Sequence, residues 1–507
     1  MRRRISGVAV AVTAALGAGA CGTTVSLPPS TASAGDGLSS VGSVASSAPL
    51  SGSSTASSGG LSAPAGVPGM TDSGGQAATT GSGVGHPAGT TPGGSIATGG
   101  AGASSYKAGI KGVSQGITDT TISIGVVALK NGEAFAHGLG FTISYGDTKV
   151  EFDSVINDLN THGGIRGRKV VPVIGYEDLS QSDPQGSLCA TFTQDNHVFA
   201  VLTPFNPEPS FASCVAKTHT LLINASDDAP NPNVDPAYPG WVYSPSLITY
   251  DRYPYSLVAA LSQHHFFGPQ AKAGVLAIDD PQWVDPAENS FKPLLERLGV
   301  QTEVVRIGAN TFSSDIPNAI LKFRQEGINY VFFVQSGAGV PLYFMEDADQ
   351  QGYFPHYAIG TYEAAGWFLE QYAPQRQLAN AEGIGWEPFF DVKASAYPKT
   401  ARERQCFAIE KKGGEENKDR QANITSTEAC DLVWAFADAA RSAGSALTFD
   451  SWRAGYAALG TSYRSVLTFT TDFSSGRSDG SSSYRWVDWN TGCGCFRYAG
   501  PVTKDVR

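Results

Sequence analysis

The stretch INDLNTHGGIRGRKVVPVIGYED, Ile156 to Asp178, decides how the chain is read. It holds the end of a helix, a double glycine, and an apolar β-branched strand that closes on Glu177 and Asp178. Upstream, Phe152, Val155, Ile156 and Leu159 fall at i, i+3, i+4 and i+7, one stripe of a helix that Asp147 can cap and Gly163-Gly164 end. Before that helix ISIGVVAL, 122–129, reads as a buried parallel strand. The cycle continues downstream. Asp183-Pro184 opens a helix with a cap and a first-turn proline, VFAVLTP is strand, PSFASCVAK helix and TLLINAS strand. After a break at YPGWVYSPSLITYDRY a second run begins with AGVLAID as strand and 288–298 as helix. TEVVRIG, NYVFFVQ and HYAIGT are its further strands, separated by helices at 315–325 and 340–351. The fold class is therefore α/β, with two β-α-β runs each wanting its own parallel sheet covered by helices on both faces. The last third is helical through YPKTARERQCFAIEKK, STEACDLVWAFADAARSAG and FDSWRAGYAALG, then β-rich through SVLTFTTDF, YRWVDW and CFRYAG.

The 507 residues are 41% hydrophobic and only 16% charged. From Thr23 to Ser105 there is no aromatic residue, and the only charges are Asp36 and Asp72. So little apolar surface cannot offset the entropy of ordering, and 22–105 reads as a disordered linker spanning roughly 50 Å r.m.s. as a Gly/Ser coil. Ahead of it, 1–21, MRRRISGVAVAVTAALGAGAC, has the basic start, uncharged stretch and small residues of an export signal. Its end resembles a bacterial lipobox, which implies cleavage before Cys21 and lipidation of that sulfur. The rival reading is an ordinary signal peptidase cut nearby. With 35 Lys and Arg against 46 Asp and Glu, net −11, no nucleic-acid partner is expected. No apolar run of about 18 residues follows the start, which excludes a polytopic membrane protein.

Enzyme motifs are weak. Gly112 to Gly116 and Gly476 to Gly480 match the spacing of a nucleophile elbow, but neither follows a strand and opens a helix. There is no P-loop, no His-Glu-x-x-His and no complete dinucleotide fingerprint. No catalytic residue, metal or cofactor is expected.

GITDTTISIGVV, INDLNTHGGIRGRKVVPVIGYED, VFAVLTP, GVLAIDDPQW and LLERLGVQTEVVRIGANTFSSD together resemble the type 1 periplasmic binding proteins. Within that family the similarity is to the branched-chain amino acid (Leu/Ile/Val-binding protein-like) receptors of ABC transporters. It spans about 113 to 460, and its most specific motif is Asn160, Gly163, Gly164, Ile165, Gly167 and Arg168, then a strand and Glu177-Asp178. The resemblance implies two Rossmann-like lobes joined by three hinge crossovers, near 244–250, 385–390 and 468–473, around an interlobe cleft. Lobe 1 is then 113–246 plus 388–467, and lobe 2 is 247–387 plus 468–507. Six of the seven cysteines follow Cys21, so an exported chain is expected to form three disulfides. A bridge between lobes would obstruct hinge closure, so the layout that the resemblance implies keeps Cys189, Cys214, Cys406 and Cys430 together in lobe 1 and Cys493 with Cys495 in lobe 2. Cys189 and Cys214, on helices flanking one strand, can be neighbours, and the expected pairs are Cys189 with Cys214, Cys406 with Cys430 and Cys493 with Cys495. Zinc at Cys493-Gly494-Cys495 lacks a second Cys or His pair.

The resemblance also implies a ligand set. After the third strand it falls on Thr203, Phe205 and Asn206, and after the fourth on Ser226, Asp227 and Asp228. Two carboxylates there would repel a ligand carboxylate, a departure from the family pattern. In the second lobe it falls on Trp283, Tyr362 and Glu363. Each has a plainer alternative: Asp227 and Asp228 as helix caps, Trp283 as packing under its loop, Glu363 displaced by one position of alignment. If they line the cleft, its acidic and aromatic chemistry favours an amine, a polyol or an amino-acid-like solute. The expected whole is a monomeric, lipid-anchored, extracytoplasmic solute receptor feeding an ABC permease. The alternative is an envelope sensor signalling to a partner other than a transporter.

Overall fold

The structure, a computed structural model, describes residues 114–505 except Leu139, Ser182, 226–230, 235–237, Asn310, 336–337, Pro398 and Ser475. The export signal, Cys21, the linker, Ser226, Asp227 and Asp228 lie outside the described residues.

Two sheets form. The first has five strands, β1 (Thr121–Lys130), β2 (Lys169–Asp178), β3 (Ala200–Thr203), β4 (Leu221–Asn224) and β5 (Val242–Tyr243), in the order β2-β1-β3-β4-β5, all parallel. The second has seven: β6 (Lys272–Ile278), β7 (Gln301–Ile307), β8 (Tyr330–Val334), β9 (His356–Ile359), β10 (Ala381–Gly385), β11 (Ser483–Asn490) and β12 (Cys495–Lys504). Their order is β12-β11-β10-β9-β8-β6-β7, parallel from β7 to β10, with β11 and β12 antiparallel at the edge.

Local sequence explains the first β-α-β unit. Asp147 caps the Thr148–Thr161 helix by accepting from Val150 N at 3.1 Å. Asn160 then staples the helix end to β2, its Nδ2 donating to Val170 O and its Oδ1 accepting from Val170 N, each at 2.8 Å. Gly163, Gly164 and Gly167 all have positive φ, and a Cβ on Gly164 would strike the Arg168 carbonyl. The most specific motif of the chain is thus a structural corner.

Ile122, Ile124 and Val126 of β1 face Phe152, Val155 and Ile156, together with Leu432, Val433, Phe436 and Trp452 from the Ile424–Ser442 and Phe449–Leu459 helices. Val127, Val201 and Leu222 face the other way, onto Phe192, Phe211 and Val215. The first sheet is therefore covered on both faces. The second sheet has its own core, from Leu257 through Phe323, Phe344 and Tyr357 to Trp486 and Phe496.

The chain passes from the first sheet to the second between β5 and β6. It returns between β10 and the Ala401–Gly413 helix, which packs on the first sheet's core, and passes over again before β11. These passages are bonded together. Ser244 N donates to Ser478 O at 2.7 Å, Ser481 N to Leu247 O at 2.9 Å, and Thr468 Oγ1 to Trp386 O at 2.8 Å. Arg252, only 5% exposed, pairs with both Asp479 and Asp505.

The three disulfides, Cys189–Cys214, Cys406–Cys430 and Cys493–Cys495, are those expected. Three local expectations fail. The segment at Asp183-Pro184 stays a turn and helix begins only at Leu188, because Gln185 is held by the β3 loop: its Nε2 donates to Asn206 O at 2.8 Å and its Oε1 accepts from Glu208 N at 2.9 Å. The helix expected at 288–298 starts earlier, at Pro281, capped by Asp280 accepting from Gln282 N at 2.9 Å. SVLTFTTDF forms no strand beyond an isolated bridge from Thr471 to Ser481, since it is consumed as a passage between sheets.

Candidate functional site

Open α/β sheets bind ligands beyond the strand C-termini where strand order reverses. In the first sheet that reversal lies between β1 and β3, and in the second between β6 and β8. The residues at issue therefore follow β3, β6 and β8.

After β3, Thr203 is buried, and its hydroxyl donates to Phe205 O and accepts from Phe205 N, both at 3.1 Å. Phe205 is buried with its ring 6.5 Å from that of Tyr145. Asn206 is half-buried; its carbonyl is held by Gln185, while its Oδ1 has no hydrogen-bond partner. At the end of β4, Asn224 is buried, its Oδ1 accepting from Ser244 Oγ and its Nδ2 unpartnered.

After β6, Trp283 is 7% exposed and meets Tyr250 edge-on at 5.2 Å. Tyr362 is fully buried, stacked on Tyr250 at 4.9 Å, with its hydroxyl donating to Ile248 O at 2.6 Å. Glu363 is also fully buried, and its carboxyl accepts from Gly360 N in the turn after β9. Burial pushes its pKa up to about 8. It is therefore largely a neutral acid at pH 7, committed to a turn, and in this arrangement not an exposed carboxylate. Trp283 and Tyr362 belong to one aromatic cluster with Tyr250, Tyr253 and Trp386 beneath the passages between sheets.

Gln335 was not singled out from the sequence. It follows β8 directly and is fully buried, yet both amide atoms of its side chain lack hydrogen-bond partners. Its backbone carbonyl accepts from Tyr250 Oη at 3.2 Å, tying it to the aromatic cluster. The available signal was a lone polar residue ending the apolar run NYVFFVQ at a switch point. A direct polar link also joins loops of the two sheets: Asn231 Nδ2 donates to Asp285 Oδ2 at 2.6 Å. On the first sheet's side, Glu177 is buried and Glu208 half-buried, and desolvation raises both carboxyls to about 7.

The nucleophile-elbow match at Gly476 to Gly480 has a structural use. Its Ser478 carbonyl and Asp479 carboxylate hold the first passage between sheets through Ser244 N and Thr249 N.

Two doubly wound sheets that exchange the chain three times and leave unfilled polar groups at their switch points form a two-lobed solute-binding architecture. The chain belongs to the periplasmic binding protein family, which it matches over residues 143–493. The resemblance read from the Ile156–Asp178 motif is thus borne out. No curated protein matched the chain by sequence. Among solved structures it is similar to a branched chain amino acid ABC transporter protein from Thermus thermophilus with bound valine: 14% identity, TM-score 0.57, 77% of this chain and 98% of that one. It is also similar to a fatty acid ABC transporter substrate-binding protein from Thermomonospora curvata, at 13% identity and TM-score 0.54 over 77% of this chain and 92% of that one. A third, an ABC transporter substrate-binding protein from Desulfitobacterium hafniense in complex with Leu, has 16% identity and TM-score 0.51 over 75% of this chain and all of that one. At such identities the likeness shows the fold. Family membership implies an extracytoplasmic location and a small-molecule ligand.

Proposed function

We propose that this chain is the solute receptor of an ABC importer, binding a small polar solute between its two lobes and delivering it to a permease without catalysing a reaction. The observation that carries the reading is the unfilled hydrogen-bonding capacity of Gln335, Asn206 and Asn224 at strand ends of both sheets. Buried amides without partners are costly, and a ligand bearing both donors and acceptors removes that cost. This favours an amino-acid-like solute, an amine or a polyol over a purely aliphatic one. The site we propose comprises Gln335 and Asn224 with Thr203, Phe205, Asn206, Ser226, Asp227 and Asp228; Trp283, Tyr362 and Glu363 support it from the hinge side. We draw the lobes at the three crossovers, although Ala136, Phe141, Ile143, Phe389, Phe390, Val392, Tyr397 and Ile424, on the lobe 1 side of those bounds, pack with the second core. Cys21 carries the lipid anchor, and 22–105 tethers the receptor at the outer face of the cell membrane.

A thermal-shift screen of the mature, oxidised chain against amino acids, amines, polyols, sugars and short peptides tests this. Solute at 100 times its dissociation constant adds about 2.7 kcal/mol of stability. A shift with one chemical class supports the receptor and names that class. No shift with any class, from ligand-free folded protein, refutes it.

A further inference from the structure

The hairpin joining β11 to β12 ends in Cys493-Gly494-Cys495, and its bridge differs in kind from the other two disulfides. Cys406 and Cys430 are fully buried, and in the remaining bridge Cys189 is 4% exposed and Cys214 half-buried. Cys493 is exposed at the tip of the turn, while Cys495 begins β12 and is buried. The Cys493–Cys495 bridge spans a sequence separation of 2, against 25 and 24 for the others, so closing its loop restricts the unfolded chain least. Nor does the hairpin need it. Asn490 pairs with Cys495 and Trp489 with Phe496 in the ladder, Trp489 meets the Phe496 ring at 5.1 Å, and Phe496 N donates to Glu370 Oε2 at 3.1 Å. Asn490 Oδ1 accepts from Cys493 N at 3.1 Å, shaping the turn from within. The same turn also accommodates a thiol, since the carbonyls of Asn490 and Cys495 lie 3.6 and 3.7 Å from Cys493 Sγ.

We propose that Cys493–Cys495 is a thiol–disulfide exchange site open to low-molecular-weight thiols. A thiolate attacks the exposed Cys493 sulfur, forming a mixed disulfide as the Cys493–Cys495 bond breaks, and Cys495 leaves as a thiolate that takes up a proton. A second thiolate attacks the mixed disulfide at the small-molecule sulfur. This releases Cys493 as a thiol and the small thiol as its own disulfide, so the protein gains two electrons and two protons. The reverse sequence oxidises the dithiol. Exposure and loop size, rather than solute binding, carry this inference. β10 and β11 are antiparallel with Glu382 opposite Asp488 and Gly385 opposite Arg485, so the turn lies beside the start of β10, on the edge away from the parallel strands' C-termini.

The test incubates the mature oxidised chain with reduced and oxidised glutathione under native conditions, then traps thiols with N-ethylmaleimide for peptide mass spectrometry. The Cys493/Cys495 peptide should gain two labels while Cys189, Cys214, Cys406 and Cys430 stay unlabelled. In Cys495→Ser the remaining Cys493 thiol should take one glutathionyl group from oxidised glutathione, with circular dichroism unchanged. The proposal is overturned if Cys493 and Cys495 are labelled no sooner than the other four cysteines. It is equally overturned if Cys493 in folded Cys495→Ser stays unmodified.

Discussion

In the proposed site, Gln335 is the residue on which solute recognition should turn. Its buried amide has no partner, so Gln335→Leu should leave the melting temperature of the ligand-free protein unchanged or raised, because removing an unsatisfied polar group costs nothing. The same change should weaken solute binding at least tenfold, about 1.4 kcal/mol, by titration calorimetry. Unaltered affinity would remove Gln335 from the site. Buried acids set the pH response. Glu363 is raised from its usual 4.5 to about 8, and Asp391, between Thr361, Glu387 N and Tyr498, from 3.8 to about 7, each chiefly by desolvation. The folded chain then binds more protons than the unfolded one, so the stability from these groups is fully present below the unfolded pKa values and is lost as pH rises through the folded ones. Melting temperature should fall between pH 4.5 and about 8, and Glu363→Gln, which keeps an acceptor for Gly360 N, should flatten that slope. A slope unchanged in the variant would assign it to other groups.

At the scale of elements, the corner after the Thr148–Thr161 helix shows how much of the chain reads locally. Asn160→Ala removes both bonds to Val170 and should cost about 2 kcal/mol in denaturant titration, two ordinary hydrogen bonds' worth. Breaking Cys406–Cys430, which closes a loop of 24 residues, should cost about 3 to 4 kcal/mol by loop entropy. Strands β1 to β4 and β6 to β9 were legible because apolar β-branched runs bounded by turn residues need no distant partner to be recognised. The failed elements share a cause. Asp183-Pro184 has the letters of a helix start, but the amide of Gln185, committed to the β3 loop, overrides them. SVLTFTTDF has the letters of a strand, but its position between two sheets spends it on a passage.

For the whole molecule, the passages between the two sheets are tied to one another by hydrogen bonds and buried charge pairs. Arg252 anchors the first passage to the third through Asp479 and to the end of β12 through Asp505, all three side chains being buried. Arg252→Ala leaves two buried carboxylates without their cation and should destabilise the chain by about 3 to 5 kcal/mol. A loss below 1 kcal/mol, about the worth of a surface ion pair, would show the network to be solvated. If lobes close over solute, small-angle scattering should record a smaller radius of gyration at saturation; an unchanged radius would argue against hinge closure.

The family and the cysteine pairs came through a resemblance to known proteins. Read alone, the sequence determined the α/β class, two successive β-α-β runs, the corner motif and an even number of cysteines after Cys21. These depend on periodicity, glycine positions and parity, all local properties of the chain. Tertiary structure decided the rest. It placed Gln335 at a strand-order reversal with its amide unpartnered, and it turned Trp283, Tyr362 and Glu363 inward as an aromatic and capping support. Whether a polar side chain meets solvent, a ligand or a neighbouring backbone depends on which distant strands and loops pack beside it. Residues such as Gln335 and Tyr250, far apart in the chain, acquire that relation only when the sheets close.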